Sequence, residues 1–266
     1  MVQALRLILD VCVIVGLLLP ALPVTVAASE EPHATGLNAP TLAQAEWINQ
    51  NIPVIQKVRL NNLALERINA ERQKQGKKAI LRSQIDLAPF GGEAVFATGT
   101  IAAEEADNSQ LLSLPGAVDN SVSAAFPPIR SQGGIGCCAA WATTYYQFTY
   151  ETNLARSRTA SGGDNSVIFS PKWTYNLING GEDAGASLSD CFQVEMKHGA
   201  ASWADFPYDT DYLAWPLNAS VWREALNYRS QSRGQISSSD TNVVIDNMKT
   251  ELADGHIIVI GTFVYS

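Results

Sequence analysis

The chain has 266 residues, 46% of them hydrophobic and 17% charged, which allows a sizeable core and excludes bulk disorder and fibrous repeats. A net charge of −8 argues against a general nucleic-acid binder, because such proteins need positive charge to displace counterions. That charge is unevenly spread. Between Gln56 and Lys78 stand seven basic residues (Lys57, Arg59, Arg67, Arg72, Lys74, Lys77, Lys78) and two acids, Glu66 and Glu71, whereas Pro115 onward carries a net −6. The two regions are either separately solvated surfaces or a basic segment that packs on an acidic domain.

Arg6 precedes an uncharged run from Val11 to Ala28, interrupted by Pro20 and Pro23 and ending in Val26, Ala27 and Ala28. This is the layout of a secretory signal peptide over residues 1–28. A retained anchor is the competing reading, and a run of 18 residues with two prolines suits it poorly. The expected location is secreted or cell-envelope, with no stable membrane span once the signal is removed. Export favours disulfides, yet only Cys137, Cys138 and Cys191 then remain. An odd number, two of them adjacent and none at zinc-type spacing, predicts no disulfide scaffold and no metal; no cofactor is expected.

Ser29 to Pro40 reads as a polar linker. Thr41 to Asn49 and then Pro53 to about Gln75 read as helices, the second capped by Asn51, with Val54, Val58, Leu65 and Ile68 near one face. Residues 81–114 lack clear periodicity and read as a connecting arm. A Gly-rich loop then leads into a helix from Cys138 to about Ala155. Further helices are expected at Pro171 (capped by Ser170), over Ser187–His198 and over Val243–Ala253, and an apolar strand over Ile257–Val264. Asn218-Ala219-Ser220 reads as a surface loop. Helices first and a strand last predict an α+β chain.

The chemistry gathers in Ser131-Gln132-Gly133-Gly134-Ile135-Gly136-Cys137-Cys138-Ala139-Ala140-Trp141-Ala142. A glycine-rich turn delivers Cys138 to the first turn of a helix, where unpaired N–H groups and the helix dipole favour a thiolate. Gln132 can aim its side-chain amide at the same spot and, with the Cys138 N–H, form an oxyanion hole. Cys137 reads as a structural neighbour and Cys191 as core.

At these residues the sequence resembles the papain-like cysteine peptidases, whose motif is Gln-Gly-x-Cys-Gly-x-Cys-Trp-Ala-Phe. The resemblance implies Cys138 as nucleophile and Gln132 as oxyanion glutamine. Ala139 stands where the family has Trp, and Trp141 takes the later aromatic position. Ile135 replaces the family's first cysteine, so that disulfide is expected to be absent. Leu114-Pro115 and Val118-Asp119 resemble the family's mature start, with Asn120 in place of its usual Trp. Ser170-Pro171 through Gly180-Gly181, Gly185 and Gly199 to Phe206-Pro207-Tyr208 resemble the rest of its helical lobe, which makes Gly185 and Ala186 candidates for substrate contact.

The fold so implied is α+β and papain-like, with the helical N-terminal lobe complete and the β-barrel lobe only begun. Its divisions are residues 1–28 as signal, 29–114 as pro-region and arm, and 115–266 as an incomplete peptidase domain. The expected function is an exported cysteine-type endopeptidase acting on polypeptides, with its own pro-region as an intramolecular inhibitor. None of His33, His198 and His256 matches the family's catalytic histidine. The His and Asn of the papain group follow the cysteine by about 130–150 residues, while 128 follow Cys138 here. The base is therefore expected beyond Ser266, and the chain alone is expected not to turn over. The alternative is an inactive secreted module that binds without cutting.

Overall fold

A computed structural model describes residues 12–15, 36–85, 94–96 and 113–262; the chain is mixed, mainly helical with few strands. The helix expected over Thr41–Asn49 forms as α1 (Leu42–Asn51), with Thr41 as its cap rather than its first residue. Its hydroxyl accepts from the Gln44 N–H while the Gln44 side chain accepts from the Thr41 N–H. Two otherwise orphaned amides are thereby satisfied.

The single helix expected from Pro53 to Gln75 is split. The Pro53 carbonyl accepts from the Gln235 N–H and Val54 bridges Gln235, so the chain leaves α1 extended and forms β2 (Ile55–Val58). Only then does α2 (Asn62–Lys74) begin, capped by Asn61 rather than Asn51. Val54 and Val58 satisfy a strand face as readily as a helical one, and a distant pairing partner decides between them.

β1 (Cys12–Val15) lies parallel between β4 (Arg233–Ile236) and β5 (Val259–Ile260), giving the order β4-β1-β5. It falls within the run read as an export signal; the rest of that run is outside the described residues. β2 pairs antiparallel with β3 (Ala94–Phe96). The strand expected over Ile257–Val264 is limited to Val259–Ile260 among the described residues, which end at Thr262.

The central helix runs through three contiguous segments: α3 (Cys138–Ala140), a π-type stretch (Trp141–Phe148) and α4 (Thr149–Ala155). The Thr143 hydroxyl donates to the Ala139 carbonyl at 3.0 Å and the Thr149 hydroxyl to the Thr144 carbonyl at 3.2 Å. Such back-bonding competes with the regular ladder and accompanies its slip to the wider turn. α5 (Pro171–Ile178) starts with Pro171 at its first position, though the Ser170 hydroxyl makes no capping bond. α6 (Leu188–Lys197) is capped by Ser187 and closed by His198. Asn218 caps a helix, α7 (Ala219–Ala225), where a loop was expected, and Asp240 caps α8 (Thr241–Ala253).

The apolar core lies on both sides of the central helix. One cluster joins Phe148, Phe169, Trp173, Phe192 and Phe206. The other joins Trp141, Tyr145, Ile168, Tyr175, Ala186 and Cys191. Upstream segments are built into this body. Ile52 belongs to the first cluster, and Ile55 and Val58 pack with Ile236 and Val244. α2 instead packs Leu65 and Ile68 on Ile80 in a satellite cluster.

Candidate active site

Cys138 opens α3 at the end of the Gly-rich turn, as expected, and is part-exposed, whereas Cys137 is fully buried. Burial raises the Cys138 thiol above its ordinary value, while the N–H groups of Ala139 and Cys138 itself pull it down. Burial wins. The helix-start donors are in place, but this state holds a thiol rather than the expected thiolate.

The Gln132 side chain takes a different direction from the one anticipated. Its Nε2 donates to the Ile135 carbonyl at 2.9 Å, within its own turn, instead of pointing an amide at an empty oxyanion position. The Gln132 carbonyl accepts from Tyr208 Oη at 2.5 Å, and that hydroxyl also lies 3.1 Å from Cys137 Sγ. Burial pushes Cys137 up to about 11, so it is an inert neighbour. Cys191 is likewise fully buried in the core.

Gly185 and Ala186 form a wall beside this turn. The Ala186 N–H donates to the Gly36 carbonyl at 3.0 Å and the Asn38 N–H to the Ala186 carbonyl at 2.9 Å, so Leu37 bridges Ala186 in parallel. A methyl group built on Gly36 would stand 2.7 Å from Cys138 Sγ and 3.1 Å from the Gly136 carbonyl carbon. On Gly185, at φ +86°, it would meet Asn38 Oδ1 at 3.0 Å and the Gly36 carbonyl at 3.2 Å. The glycines are what allow two main chains to approach this closely. Leu37 packs with Ala186 and Leu188 and reaches Gly261. A stretch of the protein's own chain thus lies across Cys138, Gly185 and Ala186.

Neither described histidine is placed to serve Cys138. His198 ends α6. His256 is buried with Nδ1 2.9 Å from Glu151 Oε2. Glu151 lies thirteen residues along the central helix from Cys138, on the order of 20 Å by helical rise. The pairing of His256 was not visible in the sequence, where it follows Asp254-Gly255 in an ordinary turn. Around it gather Glu251, Asp254 and Glu151. Glu251 is pushed up to about 8 by burial and by the charges of Asp254 and Glu151. Asp254 is pushed up to about 7 by burial. Burial opposes a charged His256, but Glu151 outweighs it and holds the imidazole protonated up to about 10.

The basic segment reaches the same cluster. The Asn61 N–H donates to Asp254 Oδ1 at 2.8 Å. Arg67 donates to the carbonyls of Leu252 and Ala253 at 3.0 and 2.9 Å and to Asn120 Oδ1 at 2.9 Å. The basic segment therefore does pack on the domain, with Arg67 satisfying helix-end carbonyls rather than pairing with an acid. Among the described residues no group of three or more His, Cys, Asp or Glu is arranged to hold a metal, and no helix is long and apolar enough to cross a membrane.

No protein-family model matches the chain, and no curated protein matches it. Among solved structures it is similar to Xylellain, a cysteine protease from Xylella fastidiosa, at 22% identity and a TM-score of 0.41. That match spans 55% of this chain and 56% of the other, little more than half of each.

Proposed function

We propose that the chain carries the nucleophile and the substrate wall of an exported, papain-like cysteine-type endopeptidase. Cys138 sulfur attacks a peptide carbonyl; the resulting C–S bond replaces the C–N bond, the amine leaves with a proton, and water then hydrolyses the thioester. Ala186 holds the substrate main chain by the hydrogen bonds it now gives to Gly36 and takes from Asn38, with Gly185 beside it leaving room for that chain. Gln132 and the Cys138 N–H receive the oxyanion once the Gln132 amide turns from Ile135. The general base is a histidine outside the described residues, oriented by an asparagine.

One observation carries this reading. A polypeptide segment, Gly36–Asn38, is paired main chain to main chain with Ala186 and rests against Cys138 Sγ. The site is shaped to receive extended peptide at a cysteine on a helix start. The same observation supports the pro-region as an intramolecular inhibitor, with residues 36–38 as the blocking segment and α1, β2 and α2 as its anchor.

The test assays the protein encoded by the full gene on an unstructured protein substrate and with an epoxide thiol-protease inhibitor. Cleavage that is lost in Cys138→Ala, together with epoxide labelling at Cys138, is expected. Peptide binding with neither cleavage nor labelling would establish the other reading, a module that binds without cutting.

A further inference from the structure

The turn that presents Cys138 and the wall that carries Gly185 come from distant parts of the chain, and a single carboxylate joins them. The Gly136 N–H donates to Asp183 Oδ1 at 2.8 Å. Tyr175 Oη donates to the same oxygen at 2.5 Å. The Gly185 N–H in turn donates to Tyr175 Oη at 3.3 Å. Gly185 and Cys138 then meet again across Gly36, so the contacts close into a ring: Asp183, Gly136, Cys138, Gly36, Gly185, Tyr175. Tyr208 braces the turn from its other side, through the Gln132 carbonyl and Cys137 Sγ.

A carboxylate suits this junction because it is acceptor-only and can take two donors on one oxygen. Bonds to it are shorter and stronger than neutral ones. Gly136 is buried, so its N–H would be left unpaired without Asp183. A nucleophile and its substrate must keep their spacing to within a fraction of an ångström for attack to be efficient.

We propose that Asp183 is a positioning residue that locks the Cys138 turn to the Gly185 wall and so sets the distance between the thiol and a bound peptide backbone. The inference rests on the reading of Cys138 as nucleophile and of Gly185–Ala186 as peptide wall. Asp183 does not touch the reacting atoms. It acts through Gly136 on one side and through Tyr175 on the other.

The experiment uses the full 266-residue chain and its Asp183→Ala, Asp183→Asn and Tyr175→Phe variants. Two readouts are taken: the pH profile of Cys138 alkylation by iodoacetamide, resolved by peptide mass spectrometry, and amide hydrogen exchange at Gly185 and Ala186. In Asp183→Ala the N–H donors at the sulfur lose their alignment. Below the midpoint, its rate relative to its own plateau is then expected to fall at least about threefold, and exchange at both amides to quicken. Asp183→Asn keeps the Oδ1 acceptor and is expected to stay close to the parent. Tyr175→Phe is expected to quicken exchange at Gly185 while leaving the alkylation midpoint in place.

If Asp183→Ala matches the parent in both readouts, Asp183 is merely structural, whatever happens to its melting temperature, and the proposal is overturned. A shift to lower pH, shared by the Asn and Ala variants, would show a through-space charge effect and overturn it equally. Unchanged exchange in Tyr175→Phe would break the link to the wall. The comparison needs only a thiol at position 138, so failed epoxide labelling would count against the peptidase reading without touching this result.

Discussion

Gly36 rests against Cys138 with no room for a side chain: a Cβ on Gly36 would stand 2.7 Å from the sulfur, and its φ of +72° strongly favours glycine. Gly36→Ala is therefore expected to lift residues 36–38 from the cleft. Cys138 alkylation at fixed pH should rise at least about tenfold, the factor that roughly 1.4 kcal/mol of lost docking supplies. Mass-spectrometric labelling rates measure it, and an unchanged rate would show that the segment does not shield the thiol.

The docking of α2 depends on Arg67. Arg67→Ala removes its bonds to Leu252, Ala253 and Asn120. A loss of about 2 kcal/mol in urea unfolding is expected from bonds with one charged partner. Limited proteolysis should then cut within α2 before it cuts the central helix.

Stability is expected to fall as pH rises from about 4 towards 10. Folding raises Glu251 from 4.5 to about 8, Asp254 from 3.8 to about 7 and His256 from 6.5 to about 10. Between each pair of values the folded chain holds a proton that the unfolded chain releases. The contribution is complete below the lower value and is lost as pH climbs through the upper one. Melting temperatures at pH 5 and pH 8 measure the slope, and Glu251→Gln, which cannot titrate, should flatten it. A parent protein more stable at pH 8 than at pH 5 would contradict this account.

The elements most legible in the sequence were those fixed locally. Thr41, Ser187 and Gly199 mark the ends of α1 and α6 by their own chemistry, and the turn before Cys138 is written in its glycines. What escaped depends on partners far along the chain. β2 is a strand because of its distant partner β3, His256 is held protonated by Glu151, and the role of Asp183 shows only when Gly136 and Tyr175 are found on it. Cys138, Gly185 and Ala186 were singled out from their motif context, and the fold brings them together around Gly36. The direction of the Gln132 amide was not, because a side chain six residues before the cysteine can bond either across the cleft or back to its own turn.

β1 gives a further expectation. Removing residues 1–28 takes out the strand between β4 and β5 and leaves both with unpaired edges. The melting temperature should drop by at least about 3 °C for a chain of this size. Equal melting temperatures with and without those residues would show that the strand adds nothing to the folded body.

The placement of β1 also sets an order in time. Cys12–Val15 leave the ribosome more than two hundred residues before Arg233–Ile236 and Val259–Ile260, which flank them. Helix pairs such as α5 and α6 can associate as they emerge, but this sheet cannot close until the intervening helices have been synthesised. The entropy of closing so long a loop makes it a late event, and an apolar tetrapeptide must wait unpaired throughout. During synthesis the strand stays open to capture by a chaperone until those partners arrive.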